Sequence, residues 1–98
     1  MAMHIDPEQN EVRLLRDVTS WRGKHVLEIG CGDGRLSRRI ARLGATVSAI
    51  DPDPKLIRTA RKSLPRRFAD RIRYRVGKAE QLEYPDESFD IVLFGWSL

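Results

Sequence analysis

The chain has 98 residues, 41% of them hydrophobic and 33% charged, which fits one small globular domain and excludes a two-domain, disordered or fibrous protein. Its longest apolar run, residues 91–94, is far short of the roughly 20 residues of a membrane span, and Met1 to Pro7 lack the basic flank and apolar core of a secretion signal, so a cytoplasmic location is expected. The net charge is +4, with 14 arginines among 18 basic residues, and the single cysteine, Cys31, stands far from His4 and His25, so neither an internal disulfide nor a metal site is expected.

Taken in chain order, Asp6-Pro7 is a helix cap followed by proline, and Val12, Leu15 and Val18 recur at helical spacing up to Ser20, predicting an amphipathic leading helix. Helix and linker would occupy 1–22, and a core would occupy 23–98. His25-Val26-Leu27-Glu28-Ile29 is short, mostly apolar and ends at Gly30, as a buried parallel strand would. Leu36, Ile40 and Leu43 then predict a helix that Gly44 closes. Thr46 to Ile50 reads as a second strand ending in Asp51, and Asp53-Pro54 caps a further helix carrying Ile57, Ala60 and Leu64 up to Pro65. Ile72 to Val76 alternates apolar and basic residues, which suits an edge strand, whereas Phe89 to Phe94 is apolar on both faces and suits a central one.

This alternation predicts an α/β, Rossmann-like, doubly wound parallel sheet with strand order 3-2-1-4 and a ligand crevice between the first and fourth strands. The chain stops four residues beyond Phe94, so the domain is expected to be incomplete, with a bare fourth-strand edge that favours self-association.

The turn Glu28-Ile29-Gly30-Cys31-Gly32-Asp33-Gly34-Arg35 places glycines at every second position between a strand and a helix. Such a turn lets backbone N–H groups approach a ligand at a helix N-terminus. A dinucleotide fingerprint counted from Gly30 requires glycine where Arg35 stands, and no Gly-Lys-Ser/Thr follows to make a phosphate loop. A carboxylate at Glu28 opposes a pyrophosphate and favours a ligand bearing an ammonium or sulfonium.

The pattern E-x-G-x-G-x-G after a strand resembles motif I of the class I S-adenosylmethionine-dependent methyltransferases. Three further stretches agree: Asp51 at the end of the second strand, the 77–82 segment Gly-Lys-Ala-Glu-Gln-Leu, and the 84–92 approach to the fourth strand. The resemblance implies S-adenosylmethionine as cofactor and S-adenosylhomocysteine as product. It places the turn of Gly30, Cys31, Gly32 and Gly34 against the methionine part, and has Glu28 orient the loop or reach the ammonium. Asp51 would take the ribose hydroxyls, Pro52 would lie against adenine, and Ala79 would present its N–H to adenine with Lys78 and Glu80 beside it. Phe94 and Gly95 would stand near the methionine amine. At Lys78 the chain departs from an acid frequent in the family, and an ammonium cannot accept the adenine amino group's hydrogen bond.

Other readings stand beside these. Asp51 is also a plausible turn residue, Asp53 a helix cap, Glu28 a loop anchor, Cys31 a small turn residue, and Trp96 a core or interface residue. The function expected is methyl transfer to a small-molecule acceptor, with no catalytic residue assigned. The alternatives are a non-catalytic binding module, or an RNA-binding methyltransferase part that uses the eight basic residues from Arg58 to Arg75. No membrane partner is expected.

Overall fold

The apolar runs of the sequence become neighbouring strands of one parallel sheet. A computed structural model describes residues 3–5, 21–78 and 89–95. Its strands are β1 (Met3–Ile5), β2 (His25–Ile29), β3 (Thr46–Asp51), β4 (Ile72–Val76) and β5 (Ile91–Phe94), in the spatial order β1-β5-β2-β3-β4. The strand order expected from the sequence therefore holds, with β1 added beyond it.

Two helices connect the strands. Helix α1 (Arg35–Arg42) follows the glycine turn, and α2 (Pro54–Lys62) begins behind Asp53, whose carboxylate accepts the Lys55 N–H at 2.8 Å. That bond satisfies one of the unpaired donors of the first turn. Both helices end earlier than the apolar spacing suggests. Leu43 is the C-cap of α1 and is 41% exposed, and Leu64 lies beyond α2. Just past the end of α1 the Arg71 guanidinium donates to the carbonyls of Ala41, in the last turn, and Ala45, in the connection that follows, placing a cation at the helix C-terminus. Arg71 and Arg67 also lie over the Phe68 ring, at 5.5 and 4.8 Å from its centroid.

Because side chains alternate along a strand, the register decides which residues share a face. Val26 pairs with Val47 and Ile91, and Val47 with Ile72. These four are buried together with Ile40, Ile57 and Phe68 in one core between the sheet and the helices. The next row on the same face is Leu93, Glu28, Ala49 and Tyr74 across β5, β2, β3 and β4. The core thus ends in a row that carries a carboxylate and a phenol.

The bare fourth-strand edge is corrected by the structure. Met3, His4 and Ile5 pair in parallel with Ile91, Val92 and Leu93, so the edge on which self-association was expected is occupied over three residues. Met3-His4-Ile5 alternates, but three residues running straight into Asp6-Pro7 are shorter than the roughly four to eight that a strand pattern needs, so the sequence alone does not predict this pairing. The expected leading helix and the 79–88 segment lie outside the described residues.

Candidate functional site

The site forms where β2 and β5, adjacent parallel strands, turn away from the sheet. The Gly30 and Cys31 N–H groups both donate to the Ile50 carbonyl, at 2.8 and 3.0 Å, and the Gly95 N–H donates to Ile29 at 2.8 Å. Gly30, Gly32 and Gly34 all have positive φ. At two of them space is also decisive: a Cβ on Gly30 would stand 2.5 Å from the Gly95 carbonyl oxygen, and one on Gly34 would stand 2.3 Å from the Tyr74 hydroxyl. Alanine would therefore be strained in conformation and blocked in space.

Asp51 closes the turn from the β3 side. Its Oδ2 accepts the Gly32 N–H at 2.9 Å and its Oδ1 accepts the Asp53 N–H at 2.9 Å, while the residue is 4% exposed. One carboxylate thus ties the glycine turn to the entry of α2. Each oxygen has a second lone pair, so the group can still accept from hydroxyl donors. Its turn role and its ligand role are compatible.

Glu28 is buried under the turn, at 1% exposure. The Ser37 hydroxyl donates to its Oε1, and a Cβ placed on Gly95 would meet its Oε2 at 2.7 Å. Glu28 thus joins α1 to the end of β5, with its second oxygen against the Gly95 backbone. Cys31 is buried in the same turn, with Sγ 3.8 Å from the Gly32 carbonyl. Burial, and then the Glu28 and Asp51 carboxylates, push its thiol far above its ordinary value. It stays protonated and is not a nucleophile.

The remaining expected residues divide. Phe94 and Gly95 stand half-buried at the end of β5, while Pro52 and Lys78 are exposed. Ala79 and Glu80 lie outside the described residues, as does Trp96. Two residues that sequence reasoning passed over stand in the site. Ser37 is fully buried on α1, and Tyr74, 4% exposed, reaches the Gly34 carbonyl at 3.4 Å. A small hydroxyl beside Leu36 on the buried helix face, and a tyrosine in the inward phase of β4, were the available signals. The basic run is partly committed elsewhere: Arg71 to α1, Arg67 to Phe68, and Arg61 to the Tyr74 carbonyl at 2.8 Å.

A parallel sheet that reverses its winding beside a glycine turn, with an acid ending the neighbouring strand, defines a Rossmann-like nucleoside-binding site. The turn's backbone, bare at its three glycines, and the acid beside it suit a cofactor with a ribose and a cationic amino-acid part. The chain belongs to the methyltransferase-domain family, whose profile matches residues 26–98. Among its relatives, the ubiquinone biosynthesis O-methyltransferase of Agrobacterium fabrum is 46% identical over 71 residues, covering 72% of this chain and 28% of that protein. The demethylmenaquinone methyltransferase of Tropheryma whipplei is 38% identical over 76 residues, covering 78% and 30%. The chain therefore spans under a third of the length of these relatives. An S-adenosylmethionine-dependent methyltransferase from Mesorhizobium loti superposes with a TM-score of 0.73 at 28% identity, over 86% of this chain and 38% of that one. The phosphoethanolamine N-methyltransferase 1 of Haemonchus contortus, solved with phosphoethanolamine and S-adenosylhomocysteine, gives 0.70 at 28% identity, over 85% and 17%. The transferase class and the cofactor expected from the glycine turn are those of this family. Among the described residues no helix is long and apolar enough to cross a membrane.

Proposed function

We propose that this chain is the cofactor-binding portion of an S-adenosylmethionine-dependent methyltransferase acting on a small organic acceptor. The observation that carries the reading is Asp51: a buried carboxylate fastened to the Gly32 N–H at the mouth between β2 and β3. Here it can accept ribose hydroxyls while holding the turn that faces them. In this reading the backbone of Gly30, Cys31, Gly32 and Gly34 carries the amino-acid part, and Glu28 acts from beneath with Phe94 and Gly95 beside it. Pro52, Lys78, Ala79 and Glu80 border the adenine.

When bound, the cofactor supplies a methyl group already activated by a sulfonium, so the protein's main task is alignment for in-line displacement. The relatives named for ubiquinone biosynthesis and demethylmenaquinone support a quinone-type acceptor. The structural commitments of Arg61, Arg67 and Arg71 favour a small acceptor over nucleic acid.

Calorimetric titration with S-adenosylhomocysteine tests the reading. The chain should bind saturably, and Asp51→Ala should weaken binding by about tenfold or more, the cost of losing charge-assisted hydrogen bonds. A folded chain that binds none of it would point to a non-catalytic use of the fold.

A further inference from the structure

Beneath the glycine turn Glu28 lies with two further buried polar side chains, Ser37 and Tyr74, to which the family resemblance assigns no role. Glu28, Ala49 and Tyr74 occupy one row across β2, β3 and β4. Ala49, between them, contributes only a methyl group, so the phenol of Tyr74 can extend over β3 as far as the turn. Its hydroxyl donates to the Gly34 carbonyl at 3.4 Å. Ser37 in turn donates to Glu28, whose other oxygen lies against Gly95. All three side chains are at least 96% buried.

Counting protons assigns each donor. Serine has one hydroxyl proton, and Ser37 spends it on the Glu28 carboxylate. The Tyr74 proton goes to the carbonyl of Gly34, the N-cap residue of α1. Tyr74 thus holds the start of the helix that carries Ser37, and Ser37 holds Glu28. Hydrogen bonds strengthen where water is excluded.

We propose that Ser37, supported by Tyr74, is a positioning residue for cofactor recognition: it fixes the Glu28 carboxylate so that its second oxygen stays at Gly95, on the side assigned to the methionine amine. This inference rests on the proposed cofactor reading. Its consequence is selective: losing Ser37 harms recognition of the amino-acid part and leaves recognition of the nucleoside, the task of Asp51, intact.

The experiment compares two ligands on the 98-residue chain, S-adenosylhomocysteine and 5′-methylthioadenosine, which keeps the nucleoside and lacks the amino-acid part. Ser37→Ala should weaken the first by about tenfold while changing the second by less than about twofold. Glu28→Gln should show the same selectivity. The double variant should be no weaker than the worse single one, because Ser37 acts through Glu28. Tyr74→Phe, which keeps the ring, reads the support one link further out if Ser37→Ala does not fold, with an expected loss of about threefold on S-adenosylhomocysteine alone. Equal losses on both ligands, or additive losses in the double variant, would overturn the positioning role while leaving the cofactor reading in place. A wild-type chain that binds neither ligand would remove both.

Discussion

Two groups of charges stand out in the sequence, and the fold treats them in opposite ways. Glu28 and Asp51 are acids taken almost wholly out of water, 1% and 4% exposed, each held by donors from the glycine turn or the helix behind it. The arginines between 58 and 75 remain largely at the surface, and Arg61, Arg67 and Arg71 hold backbone carbonyls or an aromatic ring. Burying a charge is costly unless it is fully hydrogen-bonded, so buried acids mark a place where the fold has arranged donors around them. Exposed arginines bear no such cost and can serve as struts, with their stems packed and their heads on carbonyls. Position relative to water, more than number, separates the candidate site from its support.

That contrast can be broken or sharpened by measurement. The largest effect is expected at Gly30→Ala, where positive φ and the Gly95 oxygen oppose a side chain; a loss of about 2–4 kcal/mol in denaturant unfolding should accompany weakened ligand binding. A normally stable variant would mean that the turn is not the constrained part of the molecule.

On the arginine side, Arg71→Ala should lose about 1–3 kcal/mol of stability, from the Ala41 and Ala45 carbonyls and the Phe68 contact, with ligand affinity unchanged where the variant is folded. Reduced affinity in that folded variant would join the two regions that the comparison separates.

Alkaline pH provides a third measurement. Burial pushes both the Cys31 thiol and the Tyr74 phenol above their ordinary values of 9.0 and 10.0. The unfolded chain releases these protons near those ordinary values while the folded chain retains them. The stability they contribute is therefore complete below about pH 9 and declines above it, by up to about 1.4 kcal/mol per pH unit for each group. Cys31→Ala should flatten the first part of the decline, as read from urea midpoints between pH 8 and 10.

The smallest effects belong to the exposed arginines. Arg58→Ala and Arg73→Ala should each stay within about 0.5 kcal/mol of the parent. A larger loss at either would show that surface position is a poor guide to duty in this region.

Much of this organisation was legible in the letters, and the residues show why. Strands β2 and β3 announce themselves as apolar runs closed by Gly30 and Asp51, and Asp53-Pro54 starts α2 by a local hydrogen bond. Local chemistry is written locally. The support of the turn by Tyr74 is not, because Tyr74 and Gly34 meet only once the register of three strands is set. The alternation of β4 shows that Tyr74 points inward, but not that Ala49 leaves it room to reach the turn. Arg71 is similar: one basic residue among eight in sequence, it becomes the closure of α1 only when β4 has docked. Glu28 lies between, since its residue type suggests a place at the loop and only the structure shows that it is buried beneath the turn.

The pairing of residues 3–5 with 91–93 has a consequence for the order of assembly during folding. Strand β2 lies at the centre of the sheet, yet its neighbour β5 is much further along the chain than β3 is, and β1 depends on the same strand. Sheets built from such distant partners pay their loop-closure entropy late and form slowly. Until β5 docks, one side of β2 has no strand partner and β1 has no strand to join. The half of the sheet made by β2, β3 and β4 can organise first, and the Gly30–Gly95 mouth is completed only when β5 arrives.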